Sequence, residues 1–272
     1  MGVSVDMSAS HSVSASLPRL LRQRLSALML ATSLGLAAPV AMAQSLPPPD
    51  IGGRSWFLFD VSTNTVLYSQ APDERVEPAS LTKLMTAYVV FEALRDGTLN
   101  MDTRPPVSQA AYKAIGSRMF VDPRKPATVE ELLHGLIIQS GNDAAIILAE
   151  AVSGSEEAFA QQMNAEARRI GMKNSHFVNA SGLPAPEHYS TARDMALLAT
   201  RIIKEFPDYY RMYSEKEYTF NGVRQPNRNR LLYIDPSVDG MKTGHTDSAG
   251  YNLVASSKRN GRRVISVVVG TE

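Results

Sequence analysis

Three short patterns in the 272-residue sequence carry side chains able to do nucleophilic chemistry without cysteine. Ser80-Leu81-Thr82-Lys83 sets a hydroxyl and an amine three residues apart. At the first turn of a helix such positions share a face. A lysine whose pKa is lowered by a helix N-terminus and by desolvation can take the proton of that serine. Ser140-Gly141-Asn142 adds a second hydroxyl and a carboxamide. Lys242-Thr243-Gly244 adds a cation and a hydroxyl suited to a carboxylate, with a glycine that lets a substrate backbone come close. Each pattern also has a bland explanation. Roughly one S-x-x-K is expected by chance in a chain of this length, and a serine at a helix start often only caps it. S-x-N recurs at Ser62-Thr63-Asn64, where a hairpin turn accounts for it. Ser140 differs, because it falls in a break between two expected helices. Asn142 could still be a cap, and Lys242 an exposed strand lysine.

Composition narrows the chemistry. The absence of cysteine excludes thiolate metal sites, iron–sulfur clusters, cysteine nucleophiles and disulfides. With 28 Lys+Arg against 27 Asp+Glu the formal net charge is +1, which excludes a basic nucleic-acid-binding arm. His176, His188 and His245 show no H-x-x-x-H spacing, so no metal or other cofactor is expected. His176 and His188 read as loop or packing residues.

The elements that must position these residues follow from pattern. Arg19, Arg22 and Arg24 precede an apolar run over 25–40 that ends in Ala41-Met42-Ala43. This predicts a secretory signal peptide over 1–43 rather than a membrane span, which needs roughly 20 apolar residues. Cleavage after Ala43 would leave 272 − 43 = 229 residues working outside the cytoplasm, in the periplasm or cell envelope. Leu46-Pro47-Pro48-Pro49 reads as an extended spacer. Apolar runs at 55–60 and 65–68 predict a hairpin. An unbroken apolar stretch predicts a buried helix over 81–94. The stretch 98–127 carries no clear element. Thr128 with Glu131 has capping-box spacing and opens a helix to about 139. Asp143 is expected to cap a helix ending near 152, and further helices are expected over 156–170 and from 192 to just before Phe206-Pro207. Short strands follow near 238–243 and 251–257. Asn260-Gly261 signals a hairpin into a buried strand over 264–269. Strands at both ends and helices between predict an α/β (α+β) fold: one antiparallel sheet flanked by helices, with a mostly helical inserted subdomain.

The three patterns, in this order and 60 and 102 residues apart (80 to 140, 140 to 242), resemble the signature of penicillin-binding proteins and serine β-lactamases. The flanking text over 78–83, 139–144, 190–196, 242–246 and 250–255 is more specific. It is similar to the low-molecular-mass D-alanyl-D-alanine carboxypeptidases, and the likeness runs from about 50 to 270. The resemblance implies a β-lactamase/transpeptidase-like fold and an enzyme that removes the terminal D-alanine from peptidoglycan stem pentapeptides. Ser80 would be the nucleophile and Lys83 its base. Ser140 with Lys242 would pass a proton to the leaving amine. Asn142 would hold the substrate amide, and Thr243 with Lys242 its carboxylate. Gly244 belongs to the same substrate-binding strand. The N–H groups of Ser80 and His245 would form the oxyanion hole. β-Lactam antibiotics would acylate Ser80. A crosslink-cutting D,D-endopeptidase, a serine β-lactamase and an inactive wall-binding protein are the alternatives. The E-x-x-L-N loop of a class A β-lactamase is missing between Asn142 and Lys242. The family also has a carboxylate-binding arginine past the last strand, a small β-domain and an amphipathic anchor. None occurs before Glu272, so 44–272 is expected to be a catalytic domain truncated at its C-terminus, without peripheral membrane attachment and with one apolar sheet face exposed.

Overall fold

The computed structural model describes Pro47 and residues 50–272; the expected leader and most of the proline spacer lie outside them. Asp60 begins the first turn: its carboxylate accepts from the N–H groups of Ser62 (2.8 Å) and Thr63 (3.1 Å). This closes the hairpin of β1 (Gly53–Asp60) and β2 (Thr65–Gln70). The C-terminal strands are β5 (Val238–Thr246), β6 (Gly250–Arg259) and β7 (Arg262–Thr271). Asn260 (φ 49°) and Gly261 (φ 78°) both take the left-handed conformation that a two-residue turn requires. The strands form one antiparallel sheet in the order β2-β1-β7-β6-β5. The first and last described strands thus share a sheet, as expected, and β5 is an edge strand of it.

The expected buried strand over 264–269 is buried on one face only. Ile265, Val267 and Val269 are in the core, whereas Val264, Ser266 and Val268 are half-buried. A run of β-branched residues gives no period, so pattern could not separate the two cases. On this outer face Trp56 is buried and Leu58, Leu253 and Val268 are half-buried.

Helix α1 (Lys83–Arg95) is buried along its length, and a 3₁₀ turn over Ala79–Thr82 precedes it. The expected helix start is therefore tighter than α-helical, and Ala79 enters it at φ 48°. A short α2 (Gln109–Tyr112) occupies the stretch without prediction. Both halves of the Thr128/Glu131 capping box form at α3 (Val129–His134), which continues as a π-helical turn over Gly135–Gln139. Helix α4 (Asn142–Ser153) ends on Gly154 at φ 81°, and α5 (Glu156–Ile170) on Gly171 at φ 94°. Asp143 does not cap α4; Gly141 holds that position. Its carboxylate instead accepts from the N–H groups of Met119 (3.0 Å), Phe120 (2.8 Å) and Val121 (3.3 Å), tying that loop to the helix. Helix α6 (Ala192–Glu205), capped by Thr191, packs on β1 and β7.

Beyond α6 come α7 (Pro207–Tyr210) and an unpredicted hairpin, β3 (Glu217–Phe220) and β4 (Val223–Pro226). Its turn is Asn221-Gly222, with φ 47° and 78°, the same dipeptide signal that marks the β6–β7 turn. The loop after β4 leads into α8 (Leu231–Ile234).

Candidate active site

The 3₁₀ turn decides the first pair. In a 3₁₀ turn the side chains at i and i+3 eclipse, and Lys83 Nζ lies 3.1 Å from Ser80 Oγ. Lys83 is only 1% exposed. Its amine also reaches Asn142 Oδ1 (2.7 Å) and the Ser181 carbonyl (2.5 Å). Both are pure acceptors, so they take two N–H donors. A neutral amine then has its lone pair left for the Ser80 hydroxyl. Burial, reinforced by the positive charges of Lys242 and Arg228, holds Lys83 well below the usual lysine range. The three contacts accommodate a neutral amine facing the serine, and burial with the neighbouring positive charges favours that form.

A second pair lies alongside. Ser140 ends the π-helical turn in the left-handed conformation, φ 66°, which breaks the chain between α3 and α4 where the sequence suggested. Lys242 on β5 is buried, and its Nζ donates to Ser140 Oγ (2.9 Å) and the Thr243 carbonyl (2.9 Å). Burial and the Arg228 charge push it down to about 7. Lys242 is not part of the cleft wall, whereas Thr243, Gly244 and His245 are. Its amine reaches Ser140, which itself lines the cleft.

Gly244 has a packing reason in addition to the substrate approach its spacing suggests. A Cβ there would lie 3.0 Å from Ser80 N, 3.1 Å from the Pro78 carbonyl and 3.2 Å from Leu81 N. The side chain is missing to let the nucleophile turn press against β5, which places the N–H of Ser80 beside this strand. His245 is exposed and its ring meets that of Tyr251 at 4.2 Å. Asn142 joins the two walls, because its Oδ1 holds Lys83 and its Nδ2 donates to the Ile115 carbonyl (2.7 Å).

These residues open on a cleft of about 1380 Å³ with no aspartate or glutamate in its wall. Arg228, from the loop after β4, lies in that wall with its guanidinium tethered to the Gln139 carbonyl (3.0 Å) and Ser117 Oγ (2.9 Å). Reading the sequence did not single out Arg228. Nothing in its local pattern marks it, and only the Asn221-Gly222 hairpin signal upstream could have shown that this loop folds back. The Ser181 carbonyl was equally invisible, since backbone groups leave no trace in residue type. No group of three or more His, Asp or Glu that could hold a metal ion occurs among the described residues.

His188 supports the floor of the site. It is 4% exposed and packs edge-on to Phe177. The Val178 N–H donates to its Nδ1 (3.1 Å), so a neutral ring carries its proton on Nε2, which donates to Thr82 Oγ1 (2.8 Å). Burial, with a smaller effect from the nearby His176, pushes His188 down to about 4 from an ordinary 6.5. The folded state thus refuses a proton that the unfolded chain accepts. Stability from this group is complete above pH 6.5 and is lost as pH falls towards 4, by about 3 kcal/mol in all. Urea unfolding between pH 7.5 and 4 is expected to show a steeper loss for the wild type than for His188→Gln, which cannot titrate. Parallel curves would contradict this.

Comparison with known proteins agrees with the geometry. A peptidase S11 family model, described as D-alanyl-D-alanine carboxypeptidase, matches residues 41–272. The chain is 46% identical over 249 residues to the D-alanyl-D-alanine carboxypeptidase DacC of Escherichia coli, covering 88% of this chain and 62% of that protein. It is 43% identical to the DacA enzyme of Haemophilus influenzae, covering 84% and 60%. The chain therefore spans about three-fifths of the length of these curated relatives. Among solved structures, penicillin-binding protein 5 of Haemophilus influenzae superposes with a TM-score of 0.80 at 43% identity, covering 83% of this chain and 67% of that one. Penicillin-binding protein D2 of Listeria monocytogenes in its ampicillin-bound form gives 0.76 at 31%, covering 83% and 92%. The antiparallel sheet with flanking helices is the β-lactamase/transpeptidase fold of these proteins. With the serine and lysine pairs converging on one strand edge of that fold, the chain belongs to the S11 family of D-alanyl-D-alanine carboxypeptidases.

Proposed function

We propose that residues 44–272 act as a serine D-alanyl-D-alanine carboxypeptidase on peptidoglycan stem pentapeptides. The observation that carries this reading is the buried Lys83 amine, held between two acceptors with its remaining valence on Ser80 Oγ. Ser80 Oγ attacks the carbonyl carbon of the penultimate D-alanine, and its proton passes to Lys83 Nζ. The carbonyl oxygen becomes an oxyanion beside the N–H groups of Ser80 and His245. The C–N bond breaks, and the leaving amine takes a proton from Ser140 Oγ, which Lys242 replaces. A lysine near pKa 7 is suited to this, since both its forms are populated near neutrality. Before deacylation Lys83 gives its proton up to solvent and Lys242 takes one back, which resets both amines. Water then attacks the ester carbonyl and passes a proton to neutral Lys83 Nζ. Lys83 hands it to the departing Ser80 Oγ, restoring the serine hydroxyl and the neutral amine. Asn142, with one N–H engaged by Ile115, orients the peptide amide with the other.

The terminal carboxylate of the peptide is met by Thr243 and Lys242, and Arg228 joins them from the cleft wall. A tethered guanidinium in a cleft wall free of carboxylates is suited to that group. Arg228→Gln is expected to raise KM for a D-Ala-D-Ala peptide about 10- to 100-fold. The KM for the C-terminal amide of the same peptide is expected to change little. An unchanged preference for the free carboxylate would remove Arg228 from this role.

β-Lactams acylate Ser80 in this reading, by presenting their amide as the substrate does. The chain acts outside the cytoplasmic membrane, with 1–43 serving as signal peptide and Gln44 as the first mature residue. The test is D-alanine release from pentapeptide, with mass spectrometry of muropeptide products to separate it from crosslink cleavage, and of the purified N-terminus to locate the cut. A protein that releases no D-alanine and takes up no penicillin would overturn the assignment.

A further inference from the structure

The nucleophile turn is an unfavourable piece of backbone. Ala79 holds φ 48°, where an L-residue is strained by about 1–3 kcal/mol unless its surroundings hold it. Those surroundings are β5, where Gly244 lies against the turn, and the segment between α5 and α6, about a hundred residues away in sequence. Its loop is fastened at several points. Asn179 Oδ1 accepts from the N–H groups of Ser181 (3.2 Å) and Gly182 (2.7 Å). Ser190 exchanges backbone hydrogen bonds with Val76 (2.9 and 3.0 Å). Gly182 crosses directly over the turn: a Cβ there would stand 1.8 Å from the Ala79 carbonyl and 2.9 Å from Thr82 Oγ1. The same loop offers the Ser181 carbonyl to Lys83. A second side-chain bond joins loop and turn, from His188 Nε2 to Thr82 Oγ1, and one turn further on Thr86 Oγ1 donates to the Ala180 carbonyl (2.7 Å).

We infer that His188 is a positioning residue for catalysis, locking the Ser80–Lys83 turn against the loop that carries the Ser181 carbonyl. This rests on the peptidase reading above. The imidazole has one arrangement here. Val178 N–H occupies Nδ1, which forces the proton onto Nε2 and makes Thr82 Oγ1 the acceptor. Thr82 is wholly buried, so no water can replace the ring. Losing the bond frees the turn to relax from the conformation that eclipses Ser80 and Lys83. A displacement of about 1 Å between reacting groups costs on the order of 100-fold in rate. The role is distinct from bulk packing because it passes through one hydroxyl.

The experiment measures second-order penicillin acylation of the full chain, with melting temperature alongside, at a temperature where every variant is folded. His188→Leu is expected to acylate about 100-fold more slowly, and Thr82→Val similarly. The double variant should be no slower than either single one, because both remove the same bond. His188→Gln can accept from Val178 and donate to Thr82, and is expected to recover most of the rate. Should His188→Leu fail to fold, Thr82→Val and His188→Gln decide the matter. Wild-type rates in folded His188→Leu or Thr82→Val would overturn the inference, as would additive losses in the double variant. A wild type that takes no label would instead overturn the peptidase reading, and the catalytic role of His188 with it. Label uptake by the wild type that is undiminished in the variants overturns the positioning role alone.

Discussion

Ser80→Ala is expected to abolish both D-alanine release and covalent penicillin labelling, with a rate loss of about a millionfold for the peptidase reaction. Ser80 is half-buried on the floor of the cleft, with its hydroxyl 3.1 Å from Lys83 Nζ. Ser140 is the only other serine hydroxyl bonded to a buried lysine amine in this site, and that lysine is Lys242. In the proposed mechanism Ser140 with Lys242 serves the leaving amine, so it is not expected to take over as nucleophile. Removing one oxygen from a half-buried turn should change melting temperature little, because Lys83 keeps its bonds to Asn142 and the Ser181 carbonyl and loses only the one to Ser80. The check is intact mass after penicillin treatment, with peptide mapping of the wild-type adduct. Label found on the Ser80→Ala protein would show that the nucleophile lies elsewhere.

The second large effect is expected at Lys83, and here the choice of replacement carries the information. Lys83→Ala should slow acylation by about 10²- to 10⁴-fold, the contribution of a well-placed general base. It should also lower stability, because Asn142 Oδ1 and the Ser181 carbonyl each lose a buried donor, at about 1–3 kcal/mol apiece. Lys83→Arg separates the two roles. A guanidinium can donate to the same acceptors but stays protonated, so it cannot accept the serine proton. Acylation is therefore expected to stay as slow in Lys83→Arg as in Lys83→Ala. Rapid acylation by the arginine variant would show that the amine acts as a fixed charge and not as a base.

Much of the local structure could be read from residue order alone. The Thr128/Glu131 capping box, the glycine stops at Gly154 and Gly171, the Thr191 cap and the Asn260-Gly261 turn all appear where their side-chain chemistry requires. These are short-range devices, complete within a few residues. The motif residues Ser80, Lys83, Ser140, Asn142, Lys242 and Thr243 could be named for the same reason, since each pattern lies within four residues. Asn221-Gly222 carried an equally short signal for β3 and β4.

Tertiary structure decided what those residues face. The tight turn that eclipses Ser80 and Lys83 depends on Ala79 at φ 48°, which contacts near Gly182 hold in place. Gly244 lies against the Ser80 turn, where a Cβ would crowd the backbone, and Lys242 on β5 meets Ser140 from a distant segment. Arg228 lowers both lysines from a loop whose sequence looks ordinary, and His188 reaches Thr82 across 106 positions. Local pattern records backbone preference and periodicity over one or two turns. Charge, burial and hydrogen bonding between distant segments depend on how the sheet closes, and they are set only once β1, β5 and the loop between α5 and α6 come together around Ser80.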